Sequence, residues 1–342
     1  MEILLQILLL IIGFVILIKG ADVFVDGASA TAENFRVPKM LIGLTIVAFG
    51  TSAPEFAVSV KSLLSGNTDM LLGNVIGSNI LNILLILGVA SMIKPLVVQH
   101  NTVKKELPIV MLMTLMFATL MLDNLFDGSV TPSFTRQDGF VIVLAFCIFI
   151  HYLIQVNHKR KNEELEKEAN SSKAEVSKTE TSDLKNEPSM KLYKALFCVV
   201  IGILGIVIGS NFVVDSASEI AKILGVSAKL IALTIVALGT SLPELVTSVV
   251  ATRKGEVEIA IGNVVGSNIF NIGVVTGVPI ALLGGISKIS FSPVDLIVMV
   301  TSSILLFIFA RNDRRISRLE GGVFLAMFVG YYSFVVISGL MA

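Results

Sequence analysis

Two stretches of this chain place the residues best suited to chemistry: Thr45-Ile-Val-Ala-Phe-Gly-Thr-Ser-Ala-Pro-Glu55 and Thr234-Ile-Val-Ala-Leu-Gly-Thr-Ser-Leu-Pro-Glu244. Each sits in a strongly apolar run with Gly, Thr, Ser, Pro and one carboxylate near its centre. A Glu at membrane depth costs on the order of a few kcal/mol, and such residues mark ion pathways. Pro54 and Pro243 remove a backbone N–H, while Gly50 and Gly239 loosen the helix ahead of them. Carbonyls just before each Pro are therefore expected to lose their helical donors, with Ala48 and Ala237, six residues upstream, as the candidates. Hydroxyls of Thr51, Ser52, Thr240 and Ser241 add neutral oxygens, and Glu55 and Glu244 add charge. Hard oxygens of these kinds, offered by two broken helices, describe a cation site.

A second motif also occurs twice, as Gly77-Ser-Asn-Ile-Leu-Asn82 and Gly266-Ser-Asn-Ile-Phe-Asn271. Ser78 and Asn82 are four residues apart and share a helical face, as do Ser267 and Asn271. Each face is expected to add a hydroxyl and an amide to the site. Asn79 and Asn268 point about 100° away, where an amide also serves to bond neighbouring helices. Gly73, Gly77, Gly262 and Gly266 recur every four residues and read as close helix packing.

What positions these motifs is a duplication. The offset from Glu55 to Glu244 is 189 residues, and without a gap it also carries Asp26 to Asp215, Gly66 to Gly255, Asn74 to Asn263 and Ile83 to Ile272. A repeat this regular means two halves of one fold. At about 20 residues per span, the first half gives apolar runs over about 3–28, 38–64, 70–92, 107–125 and 138–157. The second gives about 192–216, 226–251, 257–283, 293–310 and 320–341. The expectation is an all-α polytopic membrane protein of ten transmembrane helices. Its halves are residues 1–157 and 192–342, joined by a flexible, loosely helical linker over 158–191. Five spans per half turn the second copy upside down, which makes an inverted repeat with broken helices meeting at the midplane.

Charge placement points the same way. With the linker in the cytoplasm, the inner loops hold Arg36, Lys39, Lys94, Lys104, Lys105, Arg253, Lys254, Arg311, Arg314, Arg315 and Arg318. The outer loops hold Lys61, Arg136, Lys222, Lys229 and Lys288, so both termini are expected outside. Residues 3–18 resemble a secretory signal, but Glu2 replaces the basic n-region, and the stretch reads as a retained first span.

Composition excludes several other classes. Of 342 residues, 54% are hydrophobic and 15% charged, with 26 basic against 26 acidic, so no polyanion such as nucleic acid is implied. Cys147 and Cys198 lie in apolar runs and read as packing residues. His100, His151 and His158 lack partners at metal-ligand spacing, and the linker acids lack the spacing of a calcium-sensing loop. Lys19, Asp22 and Asp26 read as snorkelling or paired groups, and Asp123, Asp127 and Asp138 as solvated loop acids. No Gly-x-Ser-x-Gly or His-Glu-x-x-His is present, so no hydrolase and no enzyme is expected. Nothing in the sequence asks for a cofactor or an obligate protein partner.

The paired Gly-Thr-Ser-x-Pro-Glu and Gly-Ser-Asn-Ile-x-Asn blocks resemble the two alpha-repeats of the calcium/cation antiporter superfamily, in its prokaryotic sodium/calcium exchanger branch. The resemblance implies a ten-helix inverted repeat with an eight-helix core, past which the first and sixth helices slide. It implies Glu55 and Glu244 at a central Ca2+ site. It places Thr51, Ser52, Ser78, Thr240, Ser241 and Ser267, with the carbonyls of Ala48 and Ala237, at flanking Na+ sites. Potassium-dependent relatives carry Asp where this chain has Asn271, which disfavours K+ co-transport. The expected activity is exchange of Na+ for Ca2+ across the cell membrane by alternating access. A proton/calcium antiporter on the same scaffold, and a cation channel, are the other readings.

Overall fold

Long apolar runs inside a bilayer meet no water, so they satisfy their backbone groups internally as helices. The computed structural model describes residues 2–66, 68–122, 133–174, 189–226, 231, 234–235, 237–287 and 292–341, and it is helical almost throughout. The helices are α1 (Glu2–Phe35), α2 (Lys39–Thr51), α3 (Ala53–Leu64), α4 (Asp69–Ile93), α5 (Leu107–Met121) and α6 (Arg136–Ala174) in the first half. In the second half they are α7 (Leu192–Ile223), α8 (Ala237–Gly239), α9 (Leu242–Arg253), α10 (Val257–Leu283), α11 (Pro293–Asn312) and α12 (Arg318–Met341).

Among the described residues, seven helices are long and apolar enough to cross a membrane, and α2 with α3 makes an eighth span bent by 46°. The expected span at 107–125 corresponds to a helix of 15 residues preceded by a π-helical turn, Thr102–Glu106. The expected span at 226–251 falls partly outside the described residues. So do Asp123 and Asp127. The fifth-span helix does not stop near 157 but runs on as α6 to Ala174, as its Lys- and Glu-rich composition permits. Beyond residues 175–188, which lie outside the described part, the linker returns to the end of α1. There the Ser189 N–H donates to Glu33 Oε2 at 2.9 Å, and Asn34 Nδ2 donates to the Met190 carbonyl at 2.8 Å.

Two short ribbons, absent from an all-α expectation, tie the loops of one half to those of the other. Strand β1 (Leu96–Val97) pairs antiparallel with β4 (Arg315–Ile316), and β2 (Ser133–Phe134) with β3 (Ile286–Ser287). Their physical basis is that loop backbone held close to its partner bonds directly rather than to water.

The core centres on α4 and α10, buried over 72% and 89% of their most apolar stretch, against 17% for α1 and 33% for α7. Those two outer helices pack on each other along a glycine seam. A Cβ built at Gly13 would meet Phe212 and Val213, one at Gly20 would meet Ile206, and one at Gly27 would meet Ala195. The order of partners makes the pair antiparallel. At Gly209 an added Cβ would collide with the Leu17 backbone nitrogen, so only hydrogen fits. Gly262 and Gly266 press likewise on Gly43 and Leu44. The counterparts of those partners for Gly73 and Gly77 fall in 232–233, outside the described residues.

Charged residues near the helix ends find partners. Lys254 pairs with Asp26 at 2.7 Å and Asp22 at 3.3 Å, and Lys39 pairs with Glu256 at 2.7 Å. Of the two expected readings for Asp22 and Asp26, snorkelling or pairing, the structure shows pairing. Asp138, expected to be merely solvated, accepts from the Thr135 N–H at 2.7 Å and caps α6.

Candidate cation site

Each acid stands in the first turn of a half-helix that begins just after a break. Ser52 (φ −85°, ψ 7°) separates α2 from α3, and Ser241 (φ −92°, ψ 6°) precedes α9. Proline occupies the second position of both new helices, where a missing N–H is harmless. The carbonyl deprived of its α-helical donor is that of Gly50 or Gly239, four residues before the Pro, rather than that of Ala48 or Ala237. The Ala48 carbonyl keeps the Ser52 N–H at 3.0 Å. The Gly239 carbonyl accepts from Ser210 Oγ of α7 at 3.2 Å. Ala237 opens the short α8.

Ser52-x-x-Glu55 and Ser241-x-x-Glu244 have the spacing of a capping box, in which the Ser side chain bonds its own helix. Neither serine does so. Ser52 Oγ instead donates to Glu244 Oε1 of the other half at 2.9 Å and lies 3.1 Å from Ser267 Oγ. Ser241 Oγ lies 3.3 Å from Ser78 Oγ, the matching pair at the 189-residue offset. Both of these serines neighbour the Glu55 carboxyl, and Thr51 neighbours that of Glu244. The two carboxylates are close enough to interact electrostatically. Glu55 and Glu244 are each 1% exposed, and Thr51, Ser52, Ser78, Ser241, Ser267, Asn82 and Asn271 are also buried. Thr240 is half-buried.

The amides split into two kinds. Asn82 Nδ2 donates to Asn268 Oδ1 at 2.9 Å, and Asn268 Nδ2 to the Asn79 carbonyl at 3.4 Å, so Asn268 is interhelical glue. Asn79, expected to act the same way, keeps both side-chain polar atoms without a described partner, as does Asn271. Asn82 and Asn271 also begin matching π-helical turns, Asn82–Leu87 and Asn271–Thr276. Such bulges insert a residue and re-aim the side chains beyond it, and they recur at functional sites. Nothing in the residue pattern announces them.

Two further asparagines escaped the sequence reading of the site. Asn263, 0% exposed, accepts from Thr51 Oγ1 at 3.0 Å and donates to Ser248 Oγ at 3.0 Å and to the Glu244 carbonyl at 3.4 Å. Asn74 repeats this, donating to the Glu55 carbonyl at 3.1 Å and Ser59 Oγ at 3.3 Å. The signal was available, since both sit at the same offset after a shared Gly.

Buried oxygens without a donor accumulate here: both of Glu55, Oε2 of Glu244, and Oδ1 of Asn79, Asn82 and Asn271. A buried polar group left unpaired costs about 1–3 kcal/mol, more when charged. Acceptors in excess of donors at one dry locus suit a bound cation, and Ca2+ takes six to eight oxygens at 2.3–2.6 Å. Among the described residues no three His, Cys, Asp or Glu side chains group to hold a metal, so neutral oxygens must supplement the two acids.

The profile described as sodium/calcium exchanger protein matches residues 5–155 and 194–337, one match per half. The chain is 33% identical over 344 residues to the sodium/calcium exchanger MaX1 of Methanosarcina acetivorans, covering 95% of this chain and 96% of that one. It is 32% identical over 298 residues to the inner membrane protein YrbG of Escherichia coli, covering 87% and 86%. A solved structure of the sodium-calcium exchanger NCX_Mj, soaked with Na+ and Ca2+, superposes with a TM-score of 0.77 at 31% identity over 95% of this chain and 96% of that one. With both halves matched and nearly the full length covered, the chain belongs to the sodium/calcium exchanger family, a family of membrane transporters.

Proposed function

We propose that this protein is a secondary antiporter of the cell membrane that exchanges Na+ for Ca2+ by alternating access, with both ions competing for Glu55 and Glu244. The observation that carries the reading is the meeting of two fully buried acids, one from each half, amid oxygens that lack donors. Two carboxylates balance one Ca2+, and several Na+ ions can satisfy the same acids with help from the hydroxyls of Thr51, Ser52, Ser78, Thr240, Ser241 and Ser267. The amides of Asn82 and Asn271 complete the set, with the carbonyls of Ala48 and Ala237 offering a second lone pair, since the Ser52 N–H already occupies the first at Ala48. Coupling follows from charge: either ion load neutralises the acids and permits the switch, whereas bare acids forbid it. The scaffold is a ten-helix inverted repeat with both termini outside and the linker in the cytoplasm.

The test is Na+-gradient-driven uptake of labelled Ca2+ into liposomes holding the purified protein. Uptake is expected in wild type and its collapse in Glu55→Gln and in Glu244→Gln. Full exchange by either variant overturns the site. Calcium uptake driven by a pH gradient in Na+-free buffer, at the same rate, overturns sodium as the coupling ion.

A further inference from the structure

A cavity of about 650 Å³ lies away from the acids, at the helix ends where α5 begins and α11 finishes. It is lined by His100, Val103, Lys104, Pro108, Phe307, Arg311, Asn312 and Arg314. Three of these side chains are permanent cations, and no Asp or Glu is among them. Among the described residues, none of the three forms an ion pair, although the neighbouring charges do find partners. Arg315 lies 3.5 Å from Asp313, and Lys105 sits over the Tyr152 ring at 5.6 Å. Asp313, next to Arg314 in the chain, is the partner of Arg315, and Glu106, two residues from Lys104, is turned inward and accepts from Tyr152 Oη at 2.5 Å.

The backbone goes out of its way to put Arg314 there. Its φ is +51°, a left-handed conformation that a residue with a Cβ adopts at a cost. The turn is clamped by the β1–β4 ribbon and by the Val98 N–H, which donates to the Arg314 carbonyl at 2.8 Å. Such local strain persists where the surrounding fold over-determines it, and it clusters at ligand clamps. Val103, Pro108 and Phe307 give the cavity an apolar part: Pro108 follows Lys104 by one turn, and Phe307 precedes Arg311 by one turn of α11, on the span side of the cations.

We infer that this cavity binds the headgroup of an anionic phospholipid, its phosphate held by Lys104, Arg311 and Arg314 and its glycerol end against Phe307 and Pro108. Arginine and lysine converging at a membrane surface recognise phosphate oxygens, and each adds about a five-fold gain in affinity for anionic lipid there. A free phosphate ion would meet the same cations, but it has no use for the apolar part.

The experiment titrates detergent-purified protein with phosphatidylglycerol, phosphatidylcholine or inorganic phosphate and reads bound adducts by native mass spectrometry. Phosphatidylglycerol adducts are expected on wild type, reduced by about five-fold per charge removed in Arg311→Gln and Lys104→Gln. Phosphatidylcholine binding should not differ between proteins. Equal phosphatidylglycerol binding by wild type and both variants overturns the site. Displacement of the lipid by inorganic phosphate alone overturns the lipid as occupant and assigns the cavity to a free anion. Arg314→Gln is set aside as a first choice because it sits in the strained turn. The two singles lie on helical segments, and their melting temperatures should match wild type.

Discussion

Ser52 Oγ donates a 2.9 Å hydrogen bond to Oε1 of Glu244, a residue 192 positions later in the chain. The counterpart Ser241 bonds to Ser78, and neither Glu55 oxygen has a hydrogen-bond partner among the described residues. The acids are therefore chemically alike but not equally supported. Ser52→Ala removes a bond to a charged group, worth about 1.5–3 kcal/mol, and should raise the KM for Ca2+ by about ten-fold or more. Ser241→Ala should raise it less. Liposome uptake at graded Ca2+ measures both, and equal effects would contradict the observed asymmetry.

Asn263 joins Thr51 of one half to Ser248 and the Glu244 backbone of the other. Asn263→Ala strips a donor from the Ser248 hydroxyl and the Glu244 carbonyl, while Thr51 falls back on the Val47 carbonyl at 3.1 Å, and a lost buried partner costs about 1–3 kcal/mol. The protein should melt several degrees lower in detergent, and Ca2+ should restore less of that loss than it adds to wild type. A variant with unchanged melting would show the network to be dispensable.

Gly209→Ala drives a methyl into the Leu17 nitrogen on α1, and backbone cannot step aside as a side chain can. Overpacking of this kind costs about 1–3 kcal/mol. The α1–α7 pair must separate slightly, so lower thermal stability and slower exchange are expected together. Normal values in both assays would mean that the seam is looser than its geometry requires.

Arg36 ends α1 with φ +53°, and the Val37 N–H closes onto the Ala32 carbonyl at 3.0 Å. At the 189-residue offset the same turn carries Gly225, with φ +80° and the Val226 N–H on Ala221 at 2.9 Å. Glycine adopts this conformation freely, so Arg36→Gly should stabilise by about 1 kcal/mol. The check is an upward shift in melting temperature without loss of uptake.

Much of the architecture was legible because it is written twice. Any one Glu in an apolar run has a dozen readings, but Glu55 and Glu244 with the same Thr, Ser and Pro at the same spacing leave few. The turn glycines Gly66 and Gly255, both at positive φ, were marked by that offset as well. Less legible were Asn74 and Asn263, whose duplication was visible but whose partners were not. The π-helical turns at Asn82 and Asn271 were illegible, since a one-residue bulge leaves the pattern of apolar residues intact.

By itself the sequence determined the membrane class and the duplication, and it nominated the residue types of the candidate site. Those rest on hydropathy and repetition, which need no partner in space. Tertiary structure alone decided what each side chain does. Ser52-x-x-Glu55 reads locally as a helix cap, yet the Ser52 hydroxyl turns to Glu244, because packing brings a buried carboxylate from the other half within reach. Hydrogen-bond partners across halves depend on ångström-level approach of two helices, and no spacing along one chain encodes that distance.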